Sequence, residues 1–321
     1  MTARQYTMQG KFSEDYSVIT FATNKLTYAW FALNCAQSVV IHNDIKVFVV
    51  SNLDFAIPAG FKNNIFIIPV KPEHIPLGIE IKLHVDEYIQ TQHTLFIDSD
   101  CICFGHLNDI FDAAKGQDVT VAGNIVPAEN WCGAKQAKTI NEQFNLDKLI
   151  RYNGGLYYIK RSAISTAIYQ KAREIGQQYD SLGFHRINNK GINEEGPMSI
   201  AMMLNNQQPI ADNGRTMTDM HTDQRPRIIN VLTGERLMRN PEYPSPNHRS
   251  WYPAQYSPLI LHFGGANLKA YPYRSQSLLL KLSTIGAPVW LATALVDTFI
   301  HGPYKTYHWL RGLLRKLKTS L

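Results

Sequence analysis

The sequence predicts an α/β fold, a mostly parallel sheet covered by helices on both faces, and three observations carry that prediction. Apolar, β-rich runs alternate with helix-patterned stretches from residue 16 onward. The runs are apolar at successive positions, as strands buried on both faces require. Two of them end in small polar or charged residues, Thr23-Asn24 and Asp98-Ser99-Asp100. In such sheets ligands sit outside the carboxyl ends of the strands, so both groups are expected on one rim.

The elements follow in order. Residues 16–23 (YSVITFAT) read as a first buried strand, and 25–41 as a helix through Tyr28, Phe31, Ala32, Cys35 and Val39. Residues 45–51 and 65–70 are the second and third strands. Ile79, Leu83, Val85 and Tyr88 share one helical face, which predicts a helix over 79–90. Thr94 to Ile97 is the fourth strand, and it delivers the Asp pair. Beyond it come a short helix at 107–116 stopped by Gly116, a strand at 118–122, and an irregular stretch over 127–150. Gly154-Gly155 then lead into an aromatic strand ending at Lys160, with a helix over 162–178. Glu194-Glu195-Gly196-Pro197 opens another helix, carboxylates and proline standing where helix N-termini favour them. Residues 206–258 are rich in Asn, Pro and Arg, with a hairpin at 228–237 turning on Thr233-Gly234. A last short strand, 259–262, runs into Phe263-Gly264-Gly265.

Composition narrows the class. The chain has 321 residues, 45% apolar and 18% charged, which is globular rather than disordered. Its four cysteines (Cys35, Cys101, Cys103 and Cys132) show no C-x-x-C spacing, so neither a zinc ribbon nor a disulfide framework is indicated. Reduced thiols in a cytoplasmic protein are expected. No apolar run reaches membrane-span length. Five of the six net positive charges fall in the last 21 residues, so the body is not the basic surface that nucleic acid requires.

Asp98 and Asp100 stand two residues apart at the exit of a buried strand. Like charges that close raise each other's pKa, and a hard divalent cation is the usual remedy. An Asp/Ser-rich turn explains the same three residues without a metal.

Four landmarks resemble a known family: FATNKLTYA at 21–29, FIDSD at 96–100, YNGGLYYI at 152–159 and LHFGG at 261–265. In this order they are similar to metal-dependent glycosyltransferases of the GT-A fold. The resemblance is strongest to family 8, which includes glycogenin and bacterial lipopolysaccharide galactosyl- and glucosyltransferases. It spans roughly residues 16–270 and implies the following. A GT-A domain over 1–270 would carry 206–258 as an insertion, either an acceptor-side lid or a plain surface excursion, with 271–321 a helical extension. Asp98, Asp100 and His262 would hold Mn²⁺ (or Mg²⁺) against the diphosphate of a UDP-sugar. Thr23, Asn24 and Tyr28 would contact the nucleotide, Lys82 and Ser99 the phosphate side, and Asn153, Gly154 and Gly155 the donor sugar. Gly265 and Lys269 would grip the diphosphate. Glu195, with Glu194 beside it, would serve the reaction at the anomeric carbon or as a base, with retention of configuration. The acceptor would be a glycan or glycolipid.

The pattern departs from the family at two points. TNKLTYA has one extra residue and Lys25 where an Asp is usual, leaving core packing open for Tyr28. The late glycine-lysine run is one residue longer, with Ala270-Tyr271 in place of Pro-Trp. Helix capping remains open for Glu195, a solvated helix position for Lys82 and a buried strand-end histidine for His262. Two other functions remain open: a metal-dependent nucleotidyltransferase, and a catalytically inactive sugar-nucleotide binder.

Residues 304–321 place Tyr307, Leu310, Leu314, Leu317 and Leu321 on one side, flanked by Arg311, Arg315, Lys316 and Lys318. Such an amphipathic basic helix suits an anionic membrane surface, so peripheral attachment at the inner face of the membrane is expected, with packing on its own domain or disorder left open.

Overall fold

The computed structural model describes residues 10–186, 191–220 and 228–319, those from 315 onward by their backbone alone. The first strands form as the sequence predicts: β1 (Tyr16–Ala22), β2 (Lys46–Ser51), β3 (Ile65–Pro69) and β4 (His93–Ile97), with helix α1 (Leu26–His42) after β1. β5 (Cys101–Cys103) follows the Asp pair at once. β6 (Val119–Pro127), β7 (Lys148–Lys160) and the two-residue β8 (Ile210–Ala211) complete a seven-stranded sheet ordered β8-β6-β7-β4-β1-β2-β3. All its pairings are parallel except the two that β7 makes, with β4 and β6.

Because successive strand residues point to opposite faces, β1 feeds two cores. Val18 and Ala22 pack with α1 on one face, and Ile19 and Phe21 with Phe96 and Tyr157 on the other.

Three sequence expectations are corrected. Residues 79–90 do not form an α-helix. The chain there is a tight 3₁₀ run, Pro72–Glu87, interrupted at Gly78 (φ 59°) and again at His84. Pro76 removes a backbone donor, and Gly78 takes a left-handed conformation that ends helical winding. Nor is 127–150 irregular: it holds α2 (Ala134–Phe144), capped by left-handed Asn145, and the beginning of β7. Finally, the glycine pair lies inside β7 rather than ahead of it. Helices α3 (Ala163–Gln177) and α4 (Glu195–Leu204) follow, α3 closed at its start by a Ser162–Ser165 capping box.

A small side sheet then folds back onto the rim. β9 (Met217–Asp219) pairs parallel to β13 (Ile260–His262), which pairs antiparallel to β5. Between them lie β10 (Ile228–Asn230), β11 (Glu235–Arg239) and β12 (Gln255–Tyr256), the first two forming the Thr233-Gly234 hairpin. Past residue 270 the chain is helical: α5 (Tyr271–Thr284), α6 (Val289–Val296) and α7 (Gly302–Thr319). Among the described residues no helix is long and apolar enough to cross a membrane, and all four cysteines are free.

Candidate active site

The site begins with a register. β4 pairs antiparallel with β7 so that Ile97 faces Leu156, and the Asp98 amide donates to the Gly155 carbonyl at 3.0 Å. Asp98 and the glycine pair are thereby adjacent. β5 pairs with β13 so that Cys101 faces His262, and the Phe263 amide donates to the Asp100 carbonyl at 3.1 Å. Two distant segments thus meet on one rim because a three-residue strand continues straight out of the Asp turn.

The two aspartates take different partners. Asp100 Oδ1 lies 3.1 Å from His262 Nε2. Asp98 turns the other way, and its Oδ2 accepts from Lys82 Nζ at 2.5 Å. Lys82 also lies 3.2 Å from Glu194 Oε1 and donates to the Gly154 carbonyl at 3.1 Å. The rim therefore holds two linked units, Asp100–His262 and Asp98–Lys82–Glu194.

Their protonation follows from burial and pairing. Burial raises Asp98 above the usual carboxylate range, against the pull of Lys82. Burial pushes Asp100 the same way, yet the hydrogen bond and charge of His262 hold it below that range. His262 is raised, its bond to Asp100 outweighing its own burial. Burial pushes Glu194 up to about 7 despite Lys82, and its Oε2 has no partner among the described residues. Lys82 is held fully protonated: burial opposes its charge, but Asp98 and Glu194 more than offset it.

Glu195 stands at the first residue of α4 and caps no amide of that helix. It reaches instead across to β7, where its Oε1 accepts from the Gly154 amide at 2.8 Å. Asn193 Nδ2 holds its other oxygen at 3.2 Å. A Cβ at Gly154 would lie 2.1 Å from Glu194 Oε1, so any larger residue there would have to displace that buried carboxylate. Asn153 Oδ1 accepts from the Gly155 amide at 2.9 Å.

The remaining predicted residues stand farther out. Thr23 is half-buried. Asn24 adopts a left-handed backbone (φ 69°) and is tied to Asn52 and to the Ile75 carbonyl, each at 2.9 Å. Tyr28 is exposed, its ring edge-on to Phe31, so core packing does not account for it. Ser99 is half-buried between the aspartates. Gly265 (φ 62°) and Lys269 are exposed at the two ends of a 3₁₀ turn just beyond β13.

Sequence reasoning missed a cavity of ≈ 430 Å³ beside this rim. Asn153 and Glu195 line one side of it, and Asp212, Asp219, Arg249 and Trp251 the other. Arg249 bridges Asp219 at 3.1 Å and Asp212 at 3.4 Å, and Tyr252 donates to Asp212. Arg151 lies 4.9 Å over the exposed Trp251 ring. An aromatic residue in a Pro- and Ser-rich stretch was the one available signal.

A carboxylate and an imidazole in contact at a buried rim fit a divalent transition ion, since Mn²⁺ accepts that mixed donor set. Cys101 Sγ lies within the same cluster, but burial holds it as a thiol, which is a poor ligand.

A parallel sheet with a carboxylate turn on its rim, answered by a histidine from a side sheet, is the arrangement expected of the GT-A fold. Comparison with solved structures places the chain in that fold. The galactosyltransferase LgtC, solved with donor and acceptor sugar analogues, matches 78% of this chain and 87% of its own length, at TM-score 0.51 and 16% identity. An active-site mutant of LgtC matches with the same coverage at TM-score 0.51 and 18% identity. The bifunctional glycosyltransferase WbbM, in apo form, matches 80% of this chain and 47% of its own, at TM-score 0.52 and 10% identity. At these identities it is the fold that is shared. No protein-family model matches the sequence, and no curated protein matches it in a sequence search.

Proposed function

We propose that the protein is a glycosyltransferase that moves a sugar from a UDP-sugar to a glycan or glycolipid acceptor, with retention, and that it uses Mn²⁺ or Mg²⁺. One observation carries the reading: within a glycosyltransferase fold, Asp100 and His262 converge to 3.1 Å on the carboxyl rim of the sheet. Asp100 and His262 would hold the cation where they now contact each other, and Asp98 would join them by turning from Lys82. The cation, when bound, supplies Lewis-acid stabilisation of the diphosphate leaving group.

The chain's own residues do the rest. Lys82 places a permanent positive charge next to Asp98 and steadies the phosphate side of the site. Thr23, Asn24, Tyr28, Ser99, Gly265 and Lys269 frame the nucleotide end. Asn153, Gly154 and Gly155 form the part of β7 beside which the donor sugar would lie. Glu195 is fixed by Gly154 and Asn193 so that its carboxylate faces the cavity, where it can stabilise positive charge at the anomeric carbon or accept the acceptor proton. Glu194 supports Lys82 from below. The cavity under Trp251 is the acceptor side, which makes 206–258 the acceptor-side insertion on a 1–270 domain. Trp251 offers an aromatic face, and Asp212 and Asp219 offer acceptors for sugar hydroxyls.

The extension 271–321 is read as the attachment to an anionic membrane surface. Tyr304 stacks on Tyr271 at 3.9 Å and docks the start of α7, while Tyr307, Trp309, Leu310, Leu313 and Leu314 stay exposed. The Arg315, Lys316, Leu317 and Lys318 side chains and residue Leu321 lie outside the described residues.

Screening UDP-sugars for hydrolysis with Mn²⁺ and without acceptor tests the reading. One UDP-sugar is expected to be hydrolysed, with activity abolished by chelation and restored by Mn²⁺. Hydrolysis indifferent to chelation would overturn the metal-assisted mechanism.

A further inference from the structure

A second cluster of metal-ligating side chains lies on the segment that carries Lys82. His74, His84 and Glu87 each offer one ligand atom, all within 4.8 Å of one another. The breaks at Gly78 and His84 fold the 3₁₀ run back on itself, so the two imidazole rings lie 4.1 Å apart, centroid to centroid. His84 Nδ1 lies 2.7 Å from Glu87 Oε1, and His74 Nε2 lies 3.9 Å from Glu87 Oε2. We propose that His74, His84 and Glu87 form a binding site for a zinc-class transition-metal ion, distinct from the Asp100–His262 rim.

Two features support the assignment. The donor set, two imidazoles and one carboxylate, is one that Zn²⁺ takes readily, and Zn–N and Zn–O bonds of about 2.0–2.2 Å would require side-chain rotations that draw His74 inward and open the His84–Glu87 contact. His74 already has its outer partner. Its Nδ1 lies 2.7 Å from the buried Tyr88 hydroxyl, which also accepts from the Lys71 amide at 3.0 Å, so the ring is oriented with Nε2 toward Glu87. Hydrogen bonding of the far imidazole nitrogen is the usual support of a metal-bound histidine.

The groups that oppose a cation are few. Lys71 Nζ contacts Glu87 Oε2, and Arg173 Nη1 stands 3.9 Å from Glu87 Oε1 while bonding Asp86 at 2.8 Å. The Lys71 side chain is 44% exposed, so its pairing is a surface ion pair of small worth and can swing into solvent. Lys82 lies between the two histidines in the chain and reaches Asp98 and Glu194. An ion pinning His74 to His84 would therefore brace both ends of the segment that supplies the active-site lysine.

The test is Zn²⁺ binding to the chelator-stripped full chain, read by elemental analysis after desalting and by the visible bands of Co²⁺ as a substitute. One Zn²⁺ per chain is expected in the wild type and in Asp100→Asn. His84→Gln and Glu87→Gln should each bind Zn²⁺ roughly tenfold or more weakly and lose the tetrahedral Co²⁺ spectrum. Zn²⁺ should raise the unfolding midpoint of the wild type and of Asp100→Asn but not of His84→Gln, a half-buried position whose replacement leaves the Tyr88–His74 pair intact. Unchanged Zn²⁺ binding in both His84→Gln and Glu87→Gln would overturn the site. So would loss of Zn²⁺ in Asp100→Asn, which would place the ion on the rim.

Discussion

The two walls of the cleft are built differently. On the donor wall three charged groups are packed against the end of the main sheet: Lys82 is 11% exposed, Asp98 19% and Glu194 1%. On the acceptor wall Arg249, Asp212 and Asp219 form a comparable ion cluster, but on a stretch with only short strands and beside an exposed Trp251. On the proposed function, the donor wall would hold a common chemical group in one geometry, and the acceptor wall would be a surface that can vary without disturbing the sheet. Removing a buried charge on the first should cost both folding and chemistry, and truncating the exposed Trp251 on the second should cost only transfer to acceptor.

The largest effect should come from Lys82→Met. Removing the cation leaves Asp98 and Glu194 buried without their partner, and breaking a buried pair in this way costs about 3–5 kcal/mol. Chemical denaturation should show a loss of that order; a loss under about 1 kcal/mol, typical of exposed pairs, would contradict the burial of the Asp98–Lys82–Glu194 unit. Gly154→Ala comes next. Its Cβ would meet Glu194 Oε1, and overpacking of this kind costs about 1–3 kcal/mol; Mn²⁺-dependent hydrolysis should fall with it as Glu195 loses its place. On the other wall, Trp251→Ala should lower transfer to acceptor by about tenfold, the worth of one aromatic contact, with donor hydrolysis unchanged. Equal losses in both assays would erase the distinction between the walls.

The subtlest test is pH. Glu194 has its pKa raised in the folded chain from an ordinary 4.5 to about 7. The folded state therefore binds its proton more tightly than the unfolded state does. The resulting stabilisation is complete below the unfolded pKa and is lost as pH rises through about 7. Urea unfolding of the wild type should show this decline, and Glu194→Gln should flatten it.

The donor wall was legible in the sequence because each of its parts has a local signature. An apolar run ending in Asp-Ser-Asp marks a strand exit, and Asn-Gly-Gly marks close backbone approach. Which aspartate meets His262 was not legible. That choice depends on the register of β5 against β13 and on Lys82 arriving from a 3₁₀ segment that reads as a helix. Ile79, Leu83, Val85 and Tyr88 do share an apolar face, but Pro76 and Gly78 decide the winding upstream of them. The acceptor wall was hidden for another reason. Arg249 finds Asp212 and Asp219 across a stretch without periodicity, and tertiary pairing of that kind leaves no pattern in the chain.

The central claim is that Asp100 and His262 together hold the donor's cation. Electron paramagnetic resonance of Mn²⁺ in the presence of UDP tests it directly, on the wild type, Asp100→Asn and His262→Ala. The account predicts UDP-dependent Mn²⁺ uptake by the wild type and its loss in both variants. Uptake that survives in both would contradict it.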